Sequence, residues 1–327
     1  MTERIRAGVV GVGSMGRHHA RVYRELPGVE LVGVADLDRD RAAEVAAEFD
    51  TRVRDQAALL SAADAVSVVV PTRHHEAVAR AAIDADTHLL VEKPFVDDLD
   101  AGRDIVAAAR ANDLVLQVGH VERYNPAVQA LEDVVAEVDP IAFAARRQGP
   151  PVDRDTTDSV VFDLMIHDID IVCALADAPV SSVTAAGIRD GGHVVAQLTF
   201  DDGTAATLTA SRVTQRRIRD LAVTAEDCHV EVDYVDQTVR IHRHSLPEYV
   251  ASEGDVRYRH ESVIERPTVE TGEPLKNELA SFAEAVRTGE RPQTTGHDGI
   301  RAVEIATQVE RALEQDADPG TPAVVYP

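Results

Sequence analysis

Residues 5–36 read IRAGVVGVGSMGRHHARVYRELPGVELVGVAD, and the order of apolar runs and glycines in this stretch decides the fold. The run 5–10 reads as a buried strand, which Gly11-Val12-Gly13-Ser14-Met15-Gly16 ends at once. A helical stretch follows over about 17–26, and a second strand, 29–35, ends at Asp36. A bare GxGxxG says little. Between a strand and a helix, with an acid twenty residues after its last glycine, it marks a dinucleotide-binding unit. Gly11 permits the tight turn, Gly13 lets the backbone approach a pyrophosphate, and Gly16 lets helix and strand pack closely. Ser14 and Met15 open a helix whose N-terminus offers N–H groups and a positive dipole end to phosphates. Asp36 is placed to accept hydrogen bonds from ribose hydroxyls and to repel a 2′-phosphate. That favours NAD, while Arg39 and Arg41 leave NADP possible.

The alternation continues outward from this unit. A helix is expected over 39–49, and a strand over 65–70 that runs into Pro71-Thr72-Arg73-His74-His75. A helix over 76–84, a strand over 88–91 and Glu92-Lys93-Pro94 come next. A helix over 99–112 and a strand over 114–118 lead to Gly119-His120. Such a series builds a doubly wound parallel sheet. Its ligands sit beyond the carboxyl ends of the strands, where Thr72, His75, Glu92, Lys93 and His120 all fall. The first domain is therefore set at 1–120. The rest, 121–327, reads as an α/β domain in which segments 141–148, 180–188, 193–200, 205–212, 220–225, 229–235 and 238–243 form a mostly antiparallel sheet. Late helices are expected over 275–288 and 297–315.

Composition narrows the function. The 327 residues carry 33 Lys+Arg against 57 Asp+Glu, a net charge of −24, which argues against nucleic acid or an anionic membrane as partner. The apolar runs are too short to span a bilayer, nothing at the N-terminus resembles a signal peptide, and two distant cysteines give no disulfide framework or metal spacing. A reducing cytoplasm is the expectation. An acidic chain with two lysines and 31 arginines also resembles the proteins of extreme halophiles, which work in molar salt. At 1 M salt a Debye length of about 3 Å screens such self-repulsion.

Against that background Lys93 stands out. One of only two lysines sits at the end of a strand on the ligand rim. Lysine is a tunable ammonium, whereas arginine effectively never gives up its proton. The segment FDLMIHDID, residues 162–170, poses the matching question in the second domain. On a helix Asp163, His167 and Asp170 fall on one face, while Phe162, Met165, Ile166 and Ile169 take the part that packs. A polar stripe of this kind suits a cleft: Asp163 to hold a hydroxyl, His167 to take its proton, Asp170 to orient the imidazole. Asp168 cannot be told from a surface or capping residue, and no metal is expected. His18, His19 and His74 read as structural or solvent-facing.

GVVGVGSMGRHHA, VVVPTRHHEAV, VEKPF and DLMIHDID together resemble the Gfo/Idh/MocA family of NAD(P)-dependent oxidoreductases. The resemblance implies a Rossmann domain followed by an α/β domain on a large open sheet that suits subunit pairing, hence a homo-oligomer. It implies that Lys93 and His167 flank the substrate beside the nicotinamide, and that Pro71, Thr72, His75 and Glu92 lie at the cofactor. Within the family, GHVERYNPAV, RRQGPPVDRD and DLMIHDIDI look most like the branch that oxidises the 3-hydroxyl of UDP-N-acetylglucosamine, whose product an aminotransferase then uses. His120, Arg123, Tyr124 and Asn125 would then line the substrate. Arg123, Arg146, Arg147 and Arg154 are the candidates to receive its diphosphate, since arginine suits bidentate phosphate contacts. Free sugars, inositol and uronic-acid nucleotide sugars remain open as substrates, as does a non-catalytic dinucleotide sensor.

Overall fold

A computed structural model describes residues 4–151, 159–188, 191–244, 248–252, 255–259 and 261–316. The chain divides into two units, 1–124 with 272–304, and 125–271 with 305–327.

The first unit is built on five parallel strands: β1 (Ile5–Val10), β2 (Val29–Ala35), β3 (Ala65–Val68), β4 (His88–Glu92) and β5 (Leu116–Gly119). They lie in the order β2-β1-β3-β4-β5. Both faces are covered, which is why the strands read as continuous apolar runs rather than alternating ones. Helices α1 (Ser14–Glu25) and α2 (Arg39–Glu48) pack one layer with Ile5, Ala7, Val9 and Tyr23. Helices α3 (Gln56–Ala62), α4 (His75–Asp84) and α5 (Leu99–Ala111) pack the other around Leu59, Val66, Leu89, Val91 and Ile105.

Aspartate does much of the local work. Asp38, Asp55 and Asp98 cap α2, α3 and α5 by accepting main-chain N–H groups with their carboxylates. Asp50, Asp86 and Asp113 take left-handed backbone just after α2, α4 and α5, at φ of 53°, 52° and 54°. Asp is one of the few non-glycine residues that tolerates that region. The acidic composition is thus partly a structural vocabulary.

The second unit opens with α6 (Pro126–Val135), capped by Asn125, and β6 (Pro140–Gln148). A single π turn, Val161–Met165, leads into α7 (Ile166–Ala176). Then come β7 (Val180–Ile188), β8 (His193–Phe200), β9 (Ala205–Ser211), β10 (Ile218–Ala225), β11 (His229–Asp233), β12 (Thr238–His244), β13 (Glu248–Ser252), β14 (Asp255–Arg259) and β15 (Ser262–Glu265). Eight of these form one sheet, β15-β12-β11-β10-β6-β9-β8-β7, antiparallel except where β6 runs parallel to β9. β13 and β14 form a separate hairpin.

The domain boundary read from the sequence needs correction. Helix α8 (Pro274–Thr288) belongs with the first unit, where Leu275, Leu279 and Phe282 join the layer of α1 and α2. Each such buried side chain contributes about 1.5–3 kcal/mol. Residues 121–327 are therefore not one domain: 121–124 and 272–304 return to the cofactor unit. Helix α9 (Gly296–Asp316) contributes residues to both units.

Candidate active site

The glycine turn separates two kinds of glycine. A Cβ on Gly11, whose φ is +88°, would lie 2.5 Å from the Val69 carbonyl oxygen, and one on Gly16 would lie 1.9 Å from the Gly11 oxygen. Those two positions are small because the protein itself fills the space. A Cβ on Gly13 would meet nothing within 4 Å. Gly13 also caps α1 without a side-chain acceptor, so the first turn, with Ser14 and Met15, has no carboxylate or hydroxyl from its cap. Open space at the N-terminus of a helix, kept open by a glycine that packing does not require, fits a pyrophosphate. Asp36 follows β2, its carboxylate accepting the Val12 N–H at 2.8 Å and the Asp38 N–H at 2.8 Å. Arg41 joins it through Nη2–Oδ1 at 2.7 Å. Burial alone would raise the Asp36 pKa, but Arg41 and the two N–H groups outweigh it and hold the carboxyl below its usual range. Leu37, next in the chain, is 97% exposed. These residues fit a dinucleotide: Asp36 for ribose hydroxyls and the Gly13 cradle for phosphates.

Lys93 follows β4 and is half-buried. Its neighbour Glu92 is buried, with Oε1 on His19 Nε2 at 3.0 Å and Oε2 accepting the Lys93 main-chain N–H at 3.1 Å. Burial opposes ionisation of Glu92, yet His19, first through a hydrogen bond, and Lys93 pull its pKa below the ordinary value. A Cβ on Gly119, paired with Glu92 across β4 and β5, would come within 3.0 Å of that carboxylate, so glycine makes room for it. His75 is 1% exposed and its ring nitrogens lie on main-chain carbonyls: Nδ1 at 3.0 Å from Pro94 O and 3.1 Å from Phe95 O, Nε2 at 2.8 Å from Val70 O. Burial pushes its pKa down. The side chains of His75 and Glu92, both expected at the cofactor, bond to groups of the protein itself and hold the loops around them. Pro71 precedes a short 3-10 turn, Thr72–His74, in which Thr72 is half-buried and His74 exposed.

His120 and Arg123 are buried. Tyr124 is buried too, its hydroxyl on Thr294 Oγ1 at 3.0 Å and its pKa raised by that burial. Asn125 caps α6 through Oδ1 and donates from Nδ2 to the Tyr234 carbonyl at 3.1 Å. The polar groups of Tyr124 and Asn125, both expected at the substrate, bond to groups of the protein itself.

In the second unit the π turn changes the expected stripe. A π turn closes i→i+5 bonds and so turns less per residue than an α turn. Asp163 and His167 are half-buried, but Asp168 and Asp170 are both buried, at 2% and 1% exposure. Asp163 is one half of an ion pair, its Oδ2 accepting from Arg212 Nη2 at 2.8 Å. The same Arg212 nitrogen reaches the Ser159 carbonyl at 3.2 Å. Arg147, a diphosphate candidate from the sequence, is buried against Asp168 and lies 5.5 Å from the Tyr234 ring centroid. Arg146 pairs with Asp220 at 2.9 and 2.6 Å on the surface. Arg154 lies outside the described residues. Among the described residues no group of three His, Cys, Asp or Glu is placed to hold a metal, and no helix is long and apolar enough to cross a membrane.

Sequence reasoning missed the partners His19 and Arg212. His19 had a signal: with Gly16, Ala20 and Tyr23 it occupies the buried face of α1, where a polar residue requires a partner. Arg212 follows the last residue of β9, and its carboxylate partner is 49 residues away.

A glycine turn open to a pyrophosphate, with Asp36 at the end of the next strand of a five-stranded parallel sheet, marks the first unit as a dinucleotide-binding domain. Comparison with known proteins agrees. Residues 5–120 match the oxidoreductase family with an NAD-binding Rossmann fold, and residues 139–232 match the GFO/IDH/MocA C-terminal domain. The chain is 34% identical, over 95% of its own length and 97% of the other, to UDP-N-acetylglucosamine 3-dehydrogenase of Acidithiobacillus ferrooxidans. The crystal structure of that enzyme superimposes with a TM-score of 0.87, covering 95% of this chain and 98% of the other. The scyllo-inositol 2-dehydrogenase (NAD(+)) of Bacillus subtilis is 28% identical over 93% of each chain. The fold is shared with scyllo-inositol dehydrogenase of Lactobacillus casei, a structure with bound NAD(H), at a TM-score of 0.79, 18% identity and coverage of 96% and 98%. The chain belongs to the Gfo/Idh/MocA family of oxidoreductases.

Proposed function

We propose that the protein oxidises the 3-hydroxyl of UDP-N-acetylglucosamine, giving the 3-keto sugar. The observation that carries this reading is the 34% identity with UDP-N-acetylglucosamine 3-dehydrogenase over nearly the whole of both chains. Lys93 and His167, the pair that the family resemblance assigns to the chemistry, are both present and half-buried. NAD, when bound, supplies the hydride acceptor. His167 takes the hydroxyl proton, and Lys93 hydrogen-bonds the same oxygen and stabilises its developing negative charge. Asp163, braced by Arg212, holds a neighbouring hydroxyl. Arg123, Arg154 and the surface residue Arg146 remain the candidates for the diphosphate; Arg147 is the weakest of the four, because it is buried in its pair with Asp168.

A second reading, oxidation of a free polyol, is supported by the inositol dehydrogenases among the relatives. NADH absorbance decides between them. The panel is UDP-N-acetylglucosamine, UDP-glucose, UDP-N-acetylglucosaminuronic acid, glucose and myo-inositol, in concentrated KCl with a ketone trap. Turnover of UDP-N-acetylglucosamine alone supports the first reading. Turnover of myo-inositol with silence on the nucleotide sugars replaces it with the second. The composition further supports a molar-salt habitat and a cytoplasmic enzyme; the family resemblance supports a homo-oligomer, with a sugar aminotransferase as the consumer of the ketone.

A further inference from the structure

We propose that His19 and His75 are positioning residues that clamp the main chain on both sides of Lys93. The proposal rests on the reading of Lys93 as the group that contacts the reacting oxygen. On the N-terminal side His19, 0% exposed, grips Glu92 through Nε2–Oε1 at 3.0 Å, and the other Glu92 oxygen takes the Lys93 N–H at 3.1 Å. The ring is fixed from behind by Ser67 Oγ at 3.0 Å from Nδ1, and Ser67 in turn meets the Tyr23 hydroxyl at 2.7 Å. On the C-terminal side His75 Nδ1 lies 3.0 and 3.1 Å from the carbonyls of Pro94 and Phe95, to which the Nδ1–H tautomer of the neutral ring donates, and Nε2 lies 2.8 Å from Val70 O.

Two buried imidazoles from different helices thus converge on residues 92–95. Burying polar rings and a carboxylate is weak ground for stability, because apolar side chains of similar volume pack such space at less desolvation cost. What the arrangement provides is direction. With the Lys93 N–H held on one side and the Pro94 and Phe95 carbonyls engaged on the other, the main chain that carries Lys93 is confined and its side-chain torsions place the ammonium. Groups that act on a reacting atom require this kind of support, since a misplacement of about 1 Å can cost 100-fold in rate. His19 had no expected function, and His75 was expected at the cofactor; both are assigned here to the lysine.

The chain's two lysines make the test direct. With K276R, Lys93 is the single lysine, and reductive methylation with 13C-formaldehyde gives it one NMR signal apart from that of the amino terminus. The variants are H19L and H75L, with H19Q and H75Q to restore a side-chain amide donor. The full-length protein is assayed on whichever substrate of the panel it turns over. In H19L and H75L the Lys93 signal should shift and kcat should fall about 10- to 100-fold, with KM for NAD and NADH binding unchanged. H19Q should recover much of both. An unmoved signal with unchanged kcat in folded variants overturns the proposal. A rise in KM for NAD at constant kcat in H75L also overturns it, and returns His75 to the cofactor. If Tm, kcat and KM collapse together and H19Q rescues nothing, the two histidines only hold the fold. If the wild-type protein turns over no compound on the panel, the substrate reading has failed, and the Lys93 signal still decides the clamp.

Discussion

The Arg147 guanidinium meets the Asp168 carboxylate along two parallel hydrogen bonds, Nε–Oδ2 at 3.0 Å and Nη2–Oδ1 at 2.9 Å, with side chains 3% and 2% exposed. Removing one partner strands the other charge in the interior. R147A should therefore cost about 3–5 kcal/mol of stability in chemical denaturation. The folded fraction should keep its KM for a nucleotide sugar. The double variant R147M/D168L should regain most of the loss. A raised KM with intact stability would return Arg147 to the diphosphate.

Gly13 and Gly16 should respond oppositely to alanine. At Gly16 the new methyl collides with the Gly11 carbonyl, so G16A should unfold or distort the first unit. At Gly13 it enters open space, so G13A should keep its Tm while NAD binding weakens. NADH fluorescence and thermal melts on both variants check this.

Asp36 should set cofactor choice. D36S removes the charge that repels a 2′-phosphate and releases Arg41, now bonded to it at 2.7 Å, to meet one. KM for NADP should fall relative to that for NAD. An unchanged ratio would mean that discrimination lies elsewhere.

Stability should decline with acid before the carboxylates titrate. Burial depresses the pKa of His75, and of His88, from the ordinary 6.5. The unfolded chain therefore takes up those protons first. The stabilisation is fully present above 6.5 and shrinks as pH falls below it, through the depressed folded values. Tm measured between pH 8 and 5 should drop along this course, and H75Q should flatten the slope.

Salt should stabilise. With a net charge of −24, raising KCl from dilute buffer to molar concentration should increase both Tm and activity. A flat or falling Tm would remove the halophilic reading.

What was legible in the sequence was what is local. The GxGxxG turn, the strands of the parallel sheet and the main helices around it follow from glycine spacing and apolar runs that any segment carries by itself. Helix α3 escaped because seven residues behind Asp55 look like any other capped loop in a chain so rich in aspartate. In the FDLMIHDID segment the inward and outward sides were only half legible. A π turn resets the phase just before His167, and burial of Asp168 depends on an arginine 21 residues away. The inward roles of Glu92, Tyr124 and Asn125 depend in the same way on His19, Thr294 and Tyr234, partners that no local pattern announces.

The return of residues 272–304 to the cofactor unit has a practical side. A fragment ending at residue 120 lacks Leu275, Leu279 and Phe282 and is left with an open flank, so it is a poor candidate for separate expression. Residues 125–271 are instead an insert that the chain enters from the cofactor unit and leaves back into it, and residues 305–327 join that insert. Chimeras that exchange it are therefore best cut near residues 124 and 272 and must carry the C-terminal stretch with it.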